Sequence, residues 1–189
     1  SFNGVVGPRT KERGFKKAPE IINSQLVDGI GGGVCQVSST LYNAVLLANL
    51  QVVERVHHSQ PVNYVDLGRG ATVYYNQIDF KFKNNTRFPV LIMARVTDNR
   101  LTISLLGREN GVQVEINTSR PEVLKPNIRK QIDETLPPGQ KKVVNSGQQG
   151  YKVIVKKIVR KEGKVVNEEI VSQDIYSPED RIIKINPKE

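Results

Sequence analysis

The chain has 189 residues and a formal net charge of +9. Its single cysteine excludes an intramolecular disulfide framework and a multi-cysteine metal site. It holds no run of about 20 apolar residues, the length that a membrane-spanning helix needs, so we expect a soluble fragment.

The positive charge lies in both halves: residues 1–118 carry a net +4 and the shorter stretch 119–189 a net +5. Such a charge indicates an anionic surrounding, which is nucleic acid, an acidic membrane surface or an anionic wall polymer such as teichoic acid. The basic side chains of the tail lack the interleaved aromatic residues of nucleic-acid modules. We therefore expect no nucleic-acid partner, and an anionic polymer stays open.

The N-terminal part predicts a basic loop punctuated by glycine, followed by a short helix near Ala18 to Ser24. Three consecutive glycines, Gly31 to Gly33, then give way to a helical pattern. Apolar residues recur at the spacing of a buried helix from Cys35 to Ala48, and Asn49 is suited to end that helix in a left-handed conformation.

Cys35 is the candidate nucleophile because it stands where the glycine run meets the helix. Backbone N–H groups at a helix start are unpaired and partly positive, so they favour the thiolate and lower the pKa of a cysteine. The turn at Gly33 lets a ligand approach closely, and the N–H groups of Cys35 and Gln36 offer an oxyanion site. The alternative is a small buried hydrophobic residue without chemistry.

Three side chains share the helix face of Cys35 at the next two turns, namely Ser38, Ser39 and Tyr42. On that face they would line a cleft and contact a substrate. The alternatives are helix caps for the two serines and a core position for Tyr42.

Both histidines, His57 and His58, follow a predicted strand that begins near Val52. An imidazole titrates near neutrality and accepts a thiol proton, so a strand beside the helix would supply the base for Cys35. The alternative is a pair of surface histidines, because sequence separation alone does not show contact.

The pattern after the histidines predicts a β-sheet that includes a hairpin over residues 90–106 and a strand over 112–116. The tail predicts an extended antiparallel ribbon that turns at Glu162-Gly163. We expect the boundary between these parts at Ser119 to Pro121.

The predicted architecture is therefore an α+β catalytic domain followed by a small extended all-β domain. The first covers residues 1–118, with the buried Cys35 helix packed on an antiparallel sheet. The second covers residues 119–189 and is interpreted either as a spacer or as a binding module.

A series of motifs runs through the first domain: Ser1-Phe2-Asn3, Gly31-Gly32-Gly33-Val34-Cys35-Gln36-Val37-Ser38, Thr40-Leu41-Tyr42-Asn43-Ala44, Glu54-Arg55, His58-Ser59, Tyr64-Val65, Gly68-Arg69, Ala71-Thr72-Val73 and Asn84-Asn85-Thr86. Together they resemble the VanW domain over about residues 1–116. The tail, with Leu136-Pro137-Pro138-Gly139, Gly147, Gly150, Gly163 and Glu168-Glu169, resembles the G-five domain found on bacterial cell-surface proteins.

The resemblance implies an extracytoplasmic protein at the wall of a Gram-positive-type bacterium, tethered to the membrane only through an upstream anchor that this sequence lacks. VanW domains occur in glycopeptide-resistance clusters. Some are L,D-transpeptidases that join diaminopimelate residues of neighbouring peptidoglycan stem peptides through a cysteine acyl-enzyme. The resemblance thus implies stem peptides as partners and requires no metal or organic cofactor.

By position in the family pattern, the nucleophile is Cys35 and the family histidine is His58. For the substrate carboxylates of such a reaction we expect Arg55 and Arg69 to supply bidentate hydrogen bonds. The sequence leaves two other functions open. Water would replace the acceptor amine in a cysteine endopeptidase or carboxypeptidase of peptidoglycan, and a structural Cys35 would leave a non-catalytic wall-binding protein.

One position departs from the family pattern, because Gly70 stands where the family commonly has Asp. If that Asp orients the histidine, another group must do so here. The candidates are Asp66, a backbone carbonyl and Asn84, and we also expect Asn84 near the substrate.

Overall fold

The computed structural model describes residues 1–22 and 25–188. Two α-helices, α1 (Phe2–Val6) and α2 (Val34–Leu47), and a 3-10 turn over Lys11–Arg13 lie in the first 50 residues. The other regular elements are strands, so the described chain is mostly β. No helix within the described ranges is long and apolar enough to cross a membrane.

The strands of the N-terminal part form antiparallel pairs. They are β1 (Lys17–Ile22) with β2 (Gln25–Ile30), β3 (Gln51–Glu54) with β4 (Lys81–Lys83), and β5 (Leu91–Thr97) with β6 (Arg100–Leu106). The predicted hairpin over 90–106 is β5 and β6, and its turn residues Asp98 and Asn99 both have positive φ, as a two-residue hairpin turn requires. Helix α2 lies against β6, against β3 and against the strand Val112–Thr118 of the C-terminal part, so it packs on strands of three separate sheets.

The helix predicted near Ala18 to Ser24 is wrong for the residues that the structure describes. Residues 17–22 form strand β1, in which Lys17 pairs with Ile30 and Ile22 with Gln25. A two-stranded ribbon tolerates Pro19 because half of the N–H groups of each strand face away from its partner. Ser24 lies outside the described residues.

The helix predicted from Cys35 to Ala48 is confirmed as α2, with each end one residue earlier. Gly33 caps its start with φ 86°, and Asn49 follows its end with φ 56°, the left-handed conformation expected there. The inner face of α2 enters the core of the N-terminal part. That core consists of Phe2, Leu41, Tyr42, Val45, Leu46, Leu50, Ala71, Val73 and Phe80.

The C-terminal part consists of strands. They are β7 (Val112–Thr118), β8 (Glu122–Leu124), β9 (Ile128–Ile132), β10 (Lys141–Asn145), β11 (Gly150–Lys161), β12 (Lys164–Tyr176) and β13 (Arg181–Ile185). As predicted, β11 and β12 form a long antiparallel ribbon that turns at Glu162-Gly163. In a second sheet, β13 pairs in parallel with β9 and antiparallel with β10.

Strand β7 pairs with β11 from Val112 to Thr118. The strand just before the predicted boundary therefore shares a sheet with a strand well after it. The division into residues 1–118 and 119–189 stays a prediction.

Candidate functional site

The glycine run before α2 brings three chain segments together around Cys35. A side chain at Gly31 would meet the Arg9 side chain, and one at Gly32 would meet the backbone of Ala18 and Pro19. Gly31 and Gly33 both have positive φ, which glycine adopts without strain. The glycines thus let the N-terminal loop and β1 lie directly against the start of the helix.

The Cys35 thiol is partly buried and donates a hydrogen bond to the Val73 carbonyl at 3.4 Å. Burial raises the pKa of the thiol above its ordinary value, and the nearby positive charge of Arg9 opposes that rise only in part. We expected the helix start to lower this pKa. Desolvation dominates instead, so the resting group is a thiol.

The two expected oxyanion donors differ. The Gln36 N–H donates to the Gly33 carbonyl at 3.0 Å, as does the Val37 N–H at 3.2 Å. Within residues 1–22 and 25–188, the Cys35 N–H has no hydrogen-bond partner. It is therefore the donor at this helix start that is free to receive an oxyanion.

Ser38 and Ser39 are fully buried, and the prediction that they contact a substrate is wrong. Ser38 donates to the Ala71 carbonyl at 2.5 Å, and Ser39 donates to the Cys35 carbonyl at 2.7 Å. The Ser39 hydroxyl also accepts the Ala71 N–H at 2.9 Å. These hydroxyls therefore fasten α2 to the segment at Ala71.

Tyr42 is also a core residue, so its predicted place in a cleft is wrong. Its ring lies edge-on to Phe80, with 5.6 Å between the centroids, and the Arg55 guanidinium lies 5.1 Å over it. The side chain is 1% exposed, which leaves no surface for a ligand.

His58 lies in a partly buried position with Tyr64 as its hydrogen-bond partner. The Tyr64 hydroxyl is 2.8 Å from Nε2, and the two rings are nearly perpendicular. Burial, assisted by the charges of Arg55 and His57, lowers the pKa of His58 to about 4. The imidazole is therefore neutral at neutral pH, and the same shift makes it a weaker base than an exposed histidine.

In the described residues, no hydrogen bond joins Cys35 to His58 directly. Tyr64 is the residue related to both, because its hydroxyl contacts His58 and its pKa responds to a charge on Cys35, although the Cys35 sulfur donates its hydrogen bond to the Val73 carbonyl. Burial first, and then a charge on Cys35, raise the pKa of Tyr64 above its ordinary value. Tyr64 thus stays a neutral hydroxyl in contact with the candidate base.

Gly70 leaves the space that the His58 ring occupies. A Cβ at Gly70 would stand 2.5 Å from Nδ1 of His58 and 2.9 Å from Cε1. A larger residue at this position would displace the ring. With glycine at position 70, the His58 ring packs against the backbone rather than against an acidic side chain.

Asn84, one candidate for orienting His58, is wrong in that role, and its predicted contact with a substrate stays a prediction. It lies on an exposed turn, where its amide donates to the Phe88 carbonyl at 2.8 Å and its oxygen accepts from Thr86. The group that contacts His58 by a side-chain hydrogen bond is Tyr64.

Arg55 is not available to a substrate, contrary to prediction. It forms a buried, bidentate pair with Asp174, with N–O distances of 2.6 and 2.8 Å, and donates to the Gly70 carbonyl at 2.6 Å. Its planar fork is thus occupied by groups of the chain itself.

Arg69 does face an open cavity of about 680 Å³. It donates from Nε to Asn43 at 2.6 Å, and Tyr64 and Asp66 lie on the same wall. Tyr151 of the C-terminal part completes the lining. Of the two arginines expected to hold carboxylates, Arg69 is the one beside open space.

Arg9 was missed in the sequence. Its Nη2 donates to Asn3 at 2.6 Å, its guanidinium lies over the rings of Phe2 and Tyr75, and its Nη1 is buried without a hydrogen-bond partner among the described residues. An unsatisfied charged donor beside Cys35 is suited to an anionic ligand. The signal in the sequence was the basic Gly7-Pro8-Arg9 loop that precedes the glycine run.

Comparison with known proteins divides the chain in two. Residues 1–106 match the family described as VanW like protein, and residues 109–188 match the G5 domain. The uncharacterized protein YoaR of Bacillus subtilis (strain 168) is 50% identical over 105 residues, 56% of this chain and 35% of YoaR. The vancomycin B-type resistance protein VanW of Enterococcus faecalis (strain ATCC 700802 / V583) is 27% identical over 106 residues, 53% of this chain and 38% of that protein.

The chain therefore matches little more than a third of the length of either curated relative. Among solved structures, the G5 domain of an IgA1 protease is 23% identical, with a TM-score of 0.33. That match covers 42% of this chain and 96% of the other.

Proposed function

We propose a peptidoglycan-directed function for this chain, which belongs to the VanW-like family over residues 1–106 and continues into a G5 domain over residues 109–188. The specific proposal is an L,D-transpeptidase that acts outside the cytoplasm on stem peptides. The observation that carries it is the Cys35 thiol at a helix start, with a free N–H at its own backbone and the Tyr64–His58 pair nearby.

In the proposed acylation step, the Cys35 sulfur forms a bond to the diaminopimelate carbonyl of a donor tetrapeptide. The carbonyl oxygen becomes an oxyanion that the Cys35 N–H stabilises. For the thiol proton to reach Nε2 of His58, the Cys35 thiol must leave the Val73 carbonyl and come within hydrogen-bond distance of the Tyr64 hydroxyl, which then passes the proton on. The carbon–nitrogen bond to D-alanine then breaks, and the proton goes to the departing amine.

In the second step, the side-chain amine of an acceptor stem attacks the thioester. Its proton goes back along Tyr64 to His58, the carbon–sulfur bond breaks, and the thiol regains a proton. Because burial raises the pKa of Cys35, this mechanism requires the proton to leave during attack rather than before it. The lowered pKa of His58 supports a base that is neutral when substrate arrives.

Two arginines support recognition of the carboxylates of a stem peptide. Arg9 has an unpartnered nitrogen close to Cys35, and we assign it the carboxylate nearest the reacting carbonyl. Arg69 lines the open cavity, and we assign it a carboxylate farther along the donor.

Product analysis on purified stem tetrapeptides tests this proposal. The full chain is expected to give cross-linked dimers, and Cys35→Ala none. Shortened monomers without dimers would replace the transpeptidase by a hydrolase, because water rather than an amine would then capture the acyl group.

A non-catalytic wall-binding protein is the second candidate, and the environment of the thiol favours it. A cysteine whose pKa is raised by burial is a poor nucleophile unless a base acts on it. Pelleting with purified sacculi that is unchanged in Cys35→Ala, together with no product from the full chain, would select this candidate.

A further inference from the structure

The C-terminal G5 domain contacts the loop that carries the candidate active site. The Asp174 carboxylate on β12 pairs with both terminal nitrogens of Arg55, and the side chains are 3% and 7% exposed. The Tyr176 hydroxyl, two residues farther along β12, accepts the Gly68 N–H at 2.9 Å. A side chain at Gly68 would collide with Val155 of β11.

These contacts lead directly to His58. Arg55 donates from Nε to the Gly70 carbonyl at 2.6 Å and from Nη2 to the Gly68 carbonyl at 3.2 Å. The α-carbon of Gly70 faces the His58 ring so closely that no side chain fits between them. The carboxylate on β12 therefore fixes the backbone against which His58 is packed.

The segment between these contacts also carries Arg69 to the open cavity, where Tyr151 of the G5 domain forms part of the wall. The His57 ring lies 5.3 Å from the Tyr176 ring. Both histidines and the cavity arginine thus lie within a few residues of a contact with the second domain.

We propose that Asp174 and Tyr176 are positioning residues for His58, so that the G5 domain completes the candidate active site instead of serving only as a spacer or wall anchor. Asp174 acts through Arg55 and Gly70, and Tyr176 acts through Gly68. The catalytic meaning of this arrangement rests on the proposed function, whereas the coupling itself is a property of the folded chain.

The test follows the titration of His58 by NMR in the full chain and in Asp174→Asn. The groups that face this ring are Tyr64, Arg55 and His57, and His57→Gln assigns the two imidazole signals. Loss of the Asp174 charge with Arg55 still in place would leave a stronger positive charge near His58 and lower its pKa further. Release of the loop admits water and moves the pKa up, from about 4 toward the ordinary value of about 6.5.

An upward shift in Asp174→Asn, with a slower acylation of Cys35 by up to about 100-fold while the protein remains folded, supports positioning. The matched control is Glu168→Gln on β12, the strand of Asp174. It removes a carboxylate from an exposed ion pair with Lys156 of β11 and should change neither the His58 pKa nor the acylation rate. A pKa that stays or falls in Asp174→Asn overturns the role of Asp174.

Tyr176→Phe keeps the ring and the charge but removes the acceptor of the Gly68 N–H. It should shift the His58 pKa upward by less than Asp174→Asn does. If Asp174→Asn does not fold, the titration in Tyr176→Phe is the test of whether the second domain positions His58. An unchanged titration in Tyr176→Phe overturns the role of Tyr176. These titrations need no turnover, so a shift without any acylation in the full chain would refute the proposed function and leave the positioning intact.

Discussion

Two effects act in opposite directions on the pKa of the Cys35 thiol. Burial raises its pKa, and the Arg9 charge together with the free N–H at the helix start favours the thiolate. Burial has the larger effect, so the resting site does not ionise the thiol. Substrate binding or the base must therefore promote the loss of its proton. A nucleophile of this kind reacts when its proton is taken in the transition state.

We predict that the rate of Cys35 alkylation by iodoacetamide rises with pH and reaches its half-maximal value above the ordinary cysteine pKa of about 8.5. This pH is the midpoint of the profile. Arg9→Gln should raise the midpoint further, because it removes the positive charge that favours the thiolate. Rates followed from pH 6 to 10 measure both, with Arg13→Gln on the exposed 3-10 turn as control. A midpoint below 8 would show that the helix start outweighs burial.

The neutral state of His58 predicts how stability depends on pH. The unfolded histidine binds a proton below about pH 6.5 and the folded one only below about 4, so folding is disfavoured as the pH falls between these values. From pH 7 to pH 5 the loss is about 2 kcal/mol, and stability is fully present above pH 6.5. His58→Gln should abolish this loss, as measured by urea unfolding, and His57→Gln should keep it. Equal slopes in the two variants would contradict the buried state of His58.

Helix α2 shows which parts of the site local sequence determines. Glycine before it, helical spacing within it and Asn49 after it predict its bounds within one residue. Whether a given face of α2 is buried or open depends on contacts with residues that lie far away in the sequence. Ser38 and Ser39 share a face with Cys35 but meet the backbone of Ala71, more than 30 residues away.

The same reason explains the other errors. Residues 17–22 combine β-branched and helix-forming residues, and pairing with β2 decides for a strand. Arg55 looked available because Asp174 lies 119 residues away in another domain. Tyr64 and Arg9 have ordinary local surroundings and become site residues only through the fold. Cys35 and His58 could be chosen as candidates from the sequence because a glycine run, a helix start and the histidine pair are local signals, and their roles as nucleophile and base stay predictions.

Removal of the Ser39 hydroxyl alone is expected to lower the free energy of unfolding. Ser39→Ala leaves the buried Ala71 N–H without its acceptor, which costs about 1–3 kcal/mol of the free energy of unfolding. Thr40→Ala is the matched control, because the Thr40 hydroxyl bonds only to the helix backbone at Gln36. Urea unfolding of the two variants compares them. A loss in Ser39→Ala no larger than in Thr40→Ala would show that the contact with Ala71 contributes little.

The two domains meet through a buried ion pair, so neither is expected to keep its full stability alone. In a fragment of residues 1–108, Arg55 loses Asp174 and is left with only the carbonyls of Gly68 and Gly70. Removal of one partner of such a pair while the other stays buried costs about 3–5 kcal/mol, which applies to the full chain, whereas in the fragment loss of the second domain lets water reach Arg55.

Arg55→Met should therefore lower the melting temperature of the full chain by much more than it changes that of the fragment. In the full chain it leaves a buried Asp174 unpaired, and in the fragment it removes a cation that water already reaches. Equal falls of the melting temperature in the full chain and in the fragment would mean that the pair does not couple the domains.

Acylation of Cys35 is what the proposed function requires above all, and intact-mass measurement detects it. The full chain, mixed with a carbapenem or with a stem tetrapeptide, should gain one acyl group, and peptide mapping should locate that group on Cys35. Cys35→Ala should keep the far-ultraviolet circular dichroism of the full chain, since alanine suits a helix start, and gain no mass. No adduct on the folded full chain, or an equal adduct on Cys35→Ala, would contradict Cys35 as the nucleophile.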